Sequence, residues 1–200
     1  MATAPELAIQ PLTPDRLPDL ASLFEQGGDP KWCWCAYYRV RSTDFSKASK
    51  TRHRSVMEGA VVANARDGRA PGLVAYDGDE AVGWMSIGPR EDYERLSHSR
   101  VLAPIDETPV WSIVCFVVGR RARGKGVARV LLQAGIAYAR KHRARMLEAY
   151  PVEIEPGGRL PSANVYRGTL SMFEAAGFVV VTRRTSPGGG AARPIVRLEL

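Results

Sequence analysis

The run VWSIVCFVV, residues 110–118, passes through a short basic turn straight into a helical pattern, and this passage limits what the chain can fold into. An apolar, β-branched run of that length has no polar face to offer water, so it belongs inside a sheet covered on both sides. After it, Val127, Val130, Leu131, Ala134, Ala137, Tyr138 and Lys141 recur at helical spacing, while Arg129, Gln133 and Arg140 point away. A buried strand feeding a helix predicts a mixed α/β fold with this strand at the sheet centre.

The flanking sequence supplies the remaining layers. LAIQPL at 7–12 has the length of a strand, and Pro11 places it at an edge. DRLPDLASLFEQ at 15–26 gathers Leu17, Leu20, Leu23 and Phe24 on one helical face and stops at Gly27 and Gly28. A weaker helical pattern covers 46–66, before Pro71 and Gly72. LVAYDGDEAVGWMSI, 73–87, reads as a hairpin about Asp77-Gly78, and 89–108 are polar and irregular. Beyond the central helix, RMLEAYPV is expected as a strand, SANVYRGTLSMFEAAG (162–177) as a helix region, and FVVVTRRT and PIVRLEL as the last strands, with PGGG at 187–190 as their turn. No repeat or low-complexity block appears, so the 200 residues, 1–200, are expected to form a single domain.

Composition narrows the setting. MATAPELAIQ lacks the features of a signal peptide and no run of 18 apolar residues occurs, so no membrane association and a cytoplasmic location are expected. Three cysteines, an odd number, suit free thiols in a reducing compartment. The net charge of +7 favours anionic ligands without choosing among phosphates, nucleic acid and acidic surfaces.

The turn itself chooses. In VVGRRARGKGVARVLL, 117–132, the helix starts at about Gly124, so its first amides point out of the sheet end and attract an anion, helped by the helix dipole. Gly124, Gly126 and Ala128 keep side chains out of the way of a phosphate, and Arg123-x-x-Gly126-x-Ala128 suits a pyrophosphate. It is neither a P-loop nor GxGxxG.

This stretch resembles the acetyl-CoA signature of the GNAT superfamily of acyl-CoA N-acyltransferases, and FEAAGFVVV, 173–181, resembles that superfamily's last helix, which ends in Gly-Phe before a strand. The resemblance implies a mostly antiparallel central sheet of six to seven strands flanked by about four helices, split between the fourth and fifth strands. It further implies an N-acetyltransferase using acetyl-CoA as co-substrate, without a metal. Val117, Val118, Arg123, Gly124, Lys125, Gly126, Val127, Ala128, Arg129 and Phe173 would hold the coenzyme, its pantetheine arm pairing with the strand at Val117 and Val118 and parting it from residues 147–150. An amine of a small molecule or peptide would attack the thioester directly.

Two departures from the family pattern stand out. The Tyr that many members carry four residues before the Gly of Gly-Phe is Phe173 here, so Tyr166 is the substitute candidate for the acid, against a plain packing role. The strand before the turn holds no Glu, which leaves Glu148 as candidate base, against an ordinary satisfied carboxylate. KWCWCAYYR, 31–39, marks a subfamily with a WCWC-type segment and reads as the floor of a substrate pocket, as core packing, or as a Cys-x-Cys metal site lacking a second half. Asp92 and Tyr93 could reach the amine from a loop. Two other functions stay open: a non-catalytic acyl-CoA sensor or scaffold, motivated by the departures, and a nucleic-acid-binding protein using Arg183, Arg184 and Arg193, which the lack of interleaved aromatics argues against. PIVRLEL leaves room for a homodimer.

Overall fold

In the computed structural model, which describes residues 7–154, 158, 165–185 and 192–200, the apolar run becomes β4 (Trp111–Val118). It is preceded by β1 (Ala8–Pro11), β2 (Gly72–Asp77) and β3 (Glu80–Pro89), and followed by β5 (Met146–Ala149), β6 (Val179–Arg184) and β7 (Arg193–Glu199). The helices are α1 (Leu17–Glu25), α2 (Pro30–Cys33), α3 (Ser42–Lys47), α4 (Lys50–Arg66), α5 (Glu94–Ser97), α6 (Val127–Lys141) and α7 (Leu170–Glu174). Among the described residues the seven strands form one sheet in the order β1-β2-β3-β4-β5-β7-β6. All neighbours are antiparallel except β4 and β5, so β4 is the middle strand, as the sequence predicted.

Both faces of the sheet are covered. On one, Val127, Leu131, Leu132 and Ile136 of α6 and Phe173 of α7 meet Met85, Ile113 and Phe116; on the other, Leu20, Leu23 and Phe24 of α1 and Met57 and Val61 of α4 meet Val74, Trp84 and Val117. Phe116 and Val117 are consecutive residues of β4 and face opposite layers, as alternation in a strand requires. Each fully buried aliphatic or Phe side chain contributes about 1.5–3 kcal/mol. At Gly83 of β3 a Cβ would come within 2.6 Å of Val127 Cγ1, so the absence of a side chain lets the first turn of α6 lie directly on the sheet. That contact fixes where the basic turn opens.

The sheet is split where the family resemblance expects, but only half-way along β4. Trp111, Ser112 and Ile113 pair with Leu147, Glu148 and Ala149, so residues 147–149 are bound to β4 rather than parted from it. Beyond Ile113 the two strands separate, and the Phe116 N–H instead donates to the Tyr166 carbonyl of a segment running beside β4.

Three further differences have local causes. The hairpin turn lies at Gly78 and Asp79, inside the pair Asp77 and Glu80, because Gly78 is the residue with positive φ (+59°). The helix expected over 162–177 shrinks to α7: Gly168, at φ +76°, breaks it and Thr169 caps the new start by accepting from the Met172 N–H at 3.3 Å. Among the described residues there are seven α-helices rather than about four, the excess being one-turn or two-turn pieces such as α2, α3 and α5. The PGGG turn lies outside the described residues.

Candidate active site

The basic turn is built as an anion cradle. Gly124 and Gly126 take φ of +75° and +82°, and a Cβ at either would meet nothing within 4 Å, so both border open space. Among the described residues the N–H groups of Gly124, Gly126, Val127 and Ala128 meet no acceptor, and they sit at the positive end of the fifteen-residue α6. They open on a cavity of about 400 Å³ lined by Val118, Arg123, Arg129 and the four residues just named except that it runs on past Phe116 to Val165, Tyr166, Thr169 and Met172. Arg123 is oriented by its Nε, which donates to the Val118 carbonyl at 3.2 Å.

Three of the residues expected there turn their side chains elsewhere. Val117 faces the α1 layer and Phe173 is fully buried among Phe116 and Phe178. Lys125 borders a smaller hollow with Asp77 and Glu80 instead. Strand alternation and the twist of the turn carry these side chains away from the cradle.

A second cavity, about 730 Å³, lies on the other side of Tyr166. Its walls are Trp32, Tyr37, Tyr38 and Phe45; its floor is Val114 and Cys115 of β4 with Cys33 and Cys35; Asp29, Arg167 and Arg193 add charge. KWCWCAYYR thus divides between this cavity and the core. Trp34 and Cys35 take left-handed φ of 46° and 49°, which is costly for residues with a Cβ. The kink buries Trp34 edge-on against Phe24, at 5.4 Å, while Trp32 and Tyr37 remain on the cavity. Tyr166 lines both cavities, and its hydroxyl stands over Gly28, where a Cβ would come within 3.2 Å. Burial, with the nearby Asp29 charge, raises its pKa above the usual phenol value, so it holds its proton.

The thiols are quiet. Cys35 Sγ lies 3.4 Å from Cys115 Sγ and accepts from Trp84 Nε1 at 3.2 Å. Contact with Cys35, then burial, pushes the Cys33 thiol far above the usual range, and contact with Cys115 and burial do the same to Cys35. Alkylation by iodoacetamide at pH 8 is therefore expected to be at least roughly tenfold slower at both than for free cysteine, and to reach the free rate in urea. Rapid labelling of Cys33 in the folded protein would show a thiolate that this packing forbids. No group of three His, Cys, Asp or Glu converges as a metal site among the described residues.

Glu148 belongs to neither cavity. It is 1% exposed, and Oε1 accepts from Arg90 Nη1 and the Tyr150 hydroxyl, both at 2.7 Å, while Oε2 accepts from Arg197 Nε at 2.9 Å. With both oxygens engaged by charged and phenolic donors, Glu148 ties β5 to β7 and to the turn after β3; the base expected of it does not fit this geometry. Tyr93 is likewise buried, hydrogen-bonded to Ser86 at 3.2 Å, and Asp92 faces Arg69. Arg183 pairs with Glu153, and Arg184 donates to the Ala103 carbonyl, so neither is held ready for a polyanion. The sequence reading missed Val165, Arg167 and Met172, because it laid 162–177 on one helix, and Phe116, because its place on the gap depends on the parting of β4 from β5.

A sheet parted beside its central strand, with unpaired helix-start amides at the end of the gap, defines an α/β protein with a split, mostly antiparallel sheet. Residues 31–169 match the family model for the GNAT family of acetyltransferases. The chain belongs to that family. Solved structures similar to it include a GCN5-related N-acetyltransferase from Kribbella flavida (18% identity, TM-score 0.56, 97% of this chain and 98% of that one). Others are a ribosomal-protein-alanine N-acetyltransferase from Brucella melitensis (20%, 0.56, 96% and 99%) and a candidate acetyltransferase from Salmonella typhimurium solved with its cofactor acetyl-CoA (16%, 0.57, 99% and 95%). At these identities the likeness is one of fold. A comparison with curated proteins gives no match. No helix among the described residues is long and apolar enough to cross a membrane.

Proposed function

We propose that this protein transfers the acetyl group of acetyl-CoA to an amine of a small molecule or peptide, the amine attacking the thioester directly. The observation that carries this reading is the meeting of two cavities at one side chain: the amide-lined cradle and the aromatic cavity both reach Tyr166. When bound, acetyl-CoA supplies an activated acetyl group. The cradle fits it, since Gly124, Gly126, Val127 and Ala128 offer N–H groups without acceptors, and Arg129 adds charge where a pyrophosphate would lie. Phe116, Met172 and Val118 give the adjoining stretch an apolar lining for a pantetheine arm.

Tyr166 keeps a proton at its hydroxyl for the leaving thiolate, and Asp29, the one carboxylate among the described residues lining the aromatic cavity, gives an arriving ammonium an anionic partner. Tyr166→Phe is expected to lower kcat by roughly 10²-fold while leaving stabilisation by acetyl-CoA unchanged. Because burial raises the Tyr166 pKa above 10, it stays protonated through pH 9; activity should climb with pH as the acceptor amine deprotonates, with no falling limb below pH 10. Turnover unaffected by Tyr166→Phe would remove Tyr166 from the chemistry. Release of CoA across a panel of amines tests the activity itself: stabilisation by acetyl-CoA with no release from any amine would mark a sensor rather than an enzyme.

A further inference from the structure

The aromatic cavity holds two guanidinium groups that nothing in the described chain neutralises. Among the described residues every other buried or half-buried arginine is committed: Arg16 to Thr13, Arg39 to the Pro71 carbonyl, Arg69 to Asp67, Arg90 and Arg197 to Glu148, Arg95 to the Tyr37 carbonyl and Arg184 to the Ala103 carbonyl. Arg167 and Arg193, both half-buried and both lining this cavity, have no acceptor among the described residues. They come from unrelated places, Arg167 from the segment pinned to β4 through the Tyr166 carbonyl and Arg193 from the first residue of β7. Yet they converge. Burial raises the Tyr38 pKa to about 12, and the charges of Arg167 and Arg193 both act against that rise, so both lie near one hydroxyl in the cavity wall. A half-buried guanidinium without a partner is costly, and two in one cavity are best explained by an anion that arrives with the ligand.

The opposite wall supplies the other half of the argument. Trp32 and Tyr37 are 43% and 42% exposed, two of the few large apolar side chains left in water. They are held edge-on to Phe45 at 5.1 and 5.2 Å, and Arg95 stacks on Tyr37 at 3.9 Å, so the wall is apolar and braced by ring contacts. Such a surface suits a ring or apolar body.

Resting on the transfer reading above, we propose that the acceptor is a small amine that also carries an oxyanion, carboxylate or phosphate-like, on an aromatic or apolar body. The oxyanion lies on Arg167 and Arg193, the body against Trp32, Tyr37 and Phe45, and the amine points to Tyr166 and Asp29. Arg167 and Arg193 are then the residues that set specificity.

The test is calorimetric titration of the CoA-loaded protein with L-phenylalanine, its aminophosphonate analogue and 2-phenylethylamine, and with the matching series on a leucine side chain. One of the oxyanion forms is expected to bind at least tenfold more tightly than the bare amine, and which one identifies the oxyanion. Arg167→Gln and Arg193→Gln should each erase most of that preference without weakening the bare amine, while Arg167→Lys and Arg193→Lys retain part of it. Unchanged stabilisation by acetyl-CoA shows that the variants are folded. Equal binding of all three forms, a preference that survives both Gln variants, or no binding by any member would each overturn the proposal. The transfer reading fails separately, as a loss of acetyl-CoA stabilisation or of CoA release, since binding here is read without turnover.

Discussion

Gly126→Glu is expected to remove the stabilisation that acetyl-CoA confers. With the ligand a hundredfold above its dissociation constant, the unaltered protein gains about 2.7 kcal/mol, a rise in Tm of roughly 5–11 °C at 2–4 °C per kcal/mol for a chain of this length. In the variant a carboxylate stands in the open space beside the Val127 and Ala128 N–H groups and repels a pyrophosphate. Because Gly126 has φ of +82°, any side chain there also costs about 1–2 kcal/mol before ligand is added. Gly126→Ala separates the two effects: it carries the same backbone strain, its Cβ meets nothing within 4 Å, and it should melt lower yet keep the ligand shift. A full shift in Gly126→Glu would mean that the pyrophosphate is held elsewhere.

Glu148→Ala should destabilise the fold by about 3–5 kcal/mol, the usual cost of removing one member of a buried charge network. Arg90 and Arg197, whose side chains are 11% and 9% exposed, would both lose their shared carboxylate. Arg197 retains Asp106, whose carboxyl it holds down to about pKa 2, but Arg90 would keep only the Tyr150 hydroxyl and the Leu96 and Leu102 carbonyls. At 2–4 °C per kcal/mol the fall in Tm is roughly 6–20 °C. Thermal unfolding against kcat decides the matter. A variant that melts normally but has lost turnover would restore Glu148 to the chemistry.

The central strand, the edge strand and the cradle were legible because each rests on neighbours in sequence, whereas the insertion of β7 between β5 and β6 does not. β4 announces itself by having no polar face, Pro11 marks an edge, and the cradle is a run of consecutive residues whose glycines and helix start act together. Glu148, a carboxylate interrupting an apolar strand, stood open between a base and a satisfied carboxylate. That reading lacked Arg90 and Arg197, which stand 58 and 49 positions away. Tyr166 was named as a substitute for the family tyrosine that is Phe173 here, and its place between two cavities depends on a hydrogen bond to Phe116 that no local pattern encodes.

The sequence by itself thus determined the α/β class, the central strand and the glycine-rich helix start, which follow from periodicity, apolarity and backbone freedom over short stretches, while the family was legible as a resemblance carried by VVGRRARGKGVARVLL and FEAAGFVVV. Only the tertiary structure decided which charges are satisfied and which are not. Twenty-three arginines look alike in a sequence, whereas among the described residues every buried or half-buried one finds an acceptor except Arg167 and Arg193, which line the aromatic cavity. Electrostatic role depends on through-space distance, and distance between remote residues is what folding alone sets.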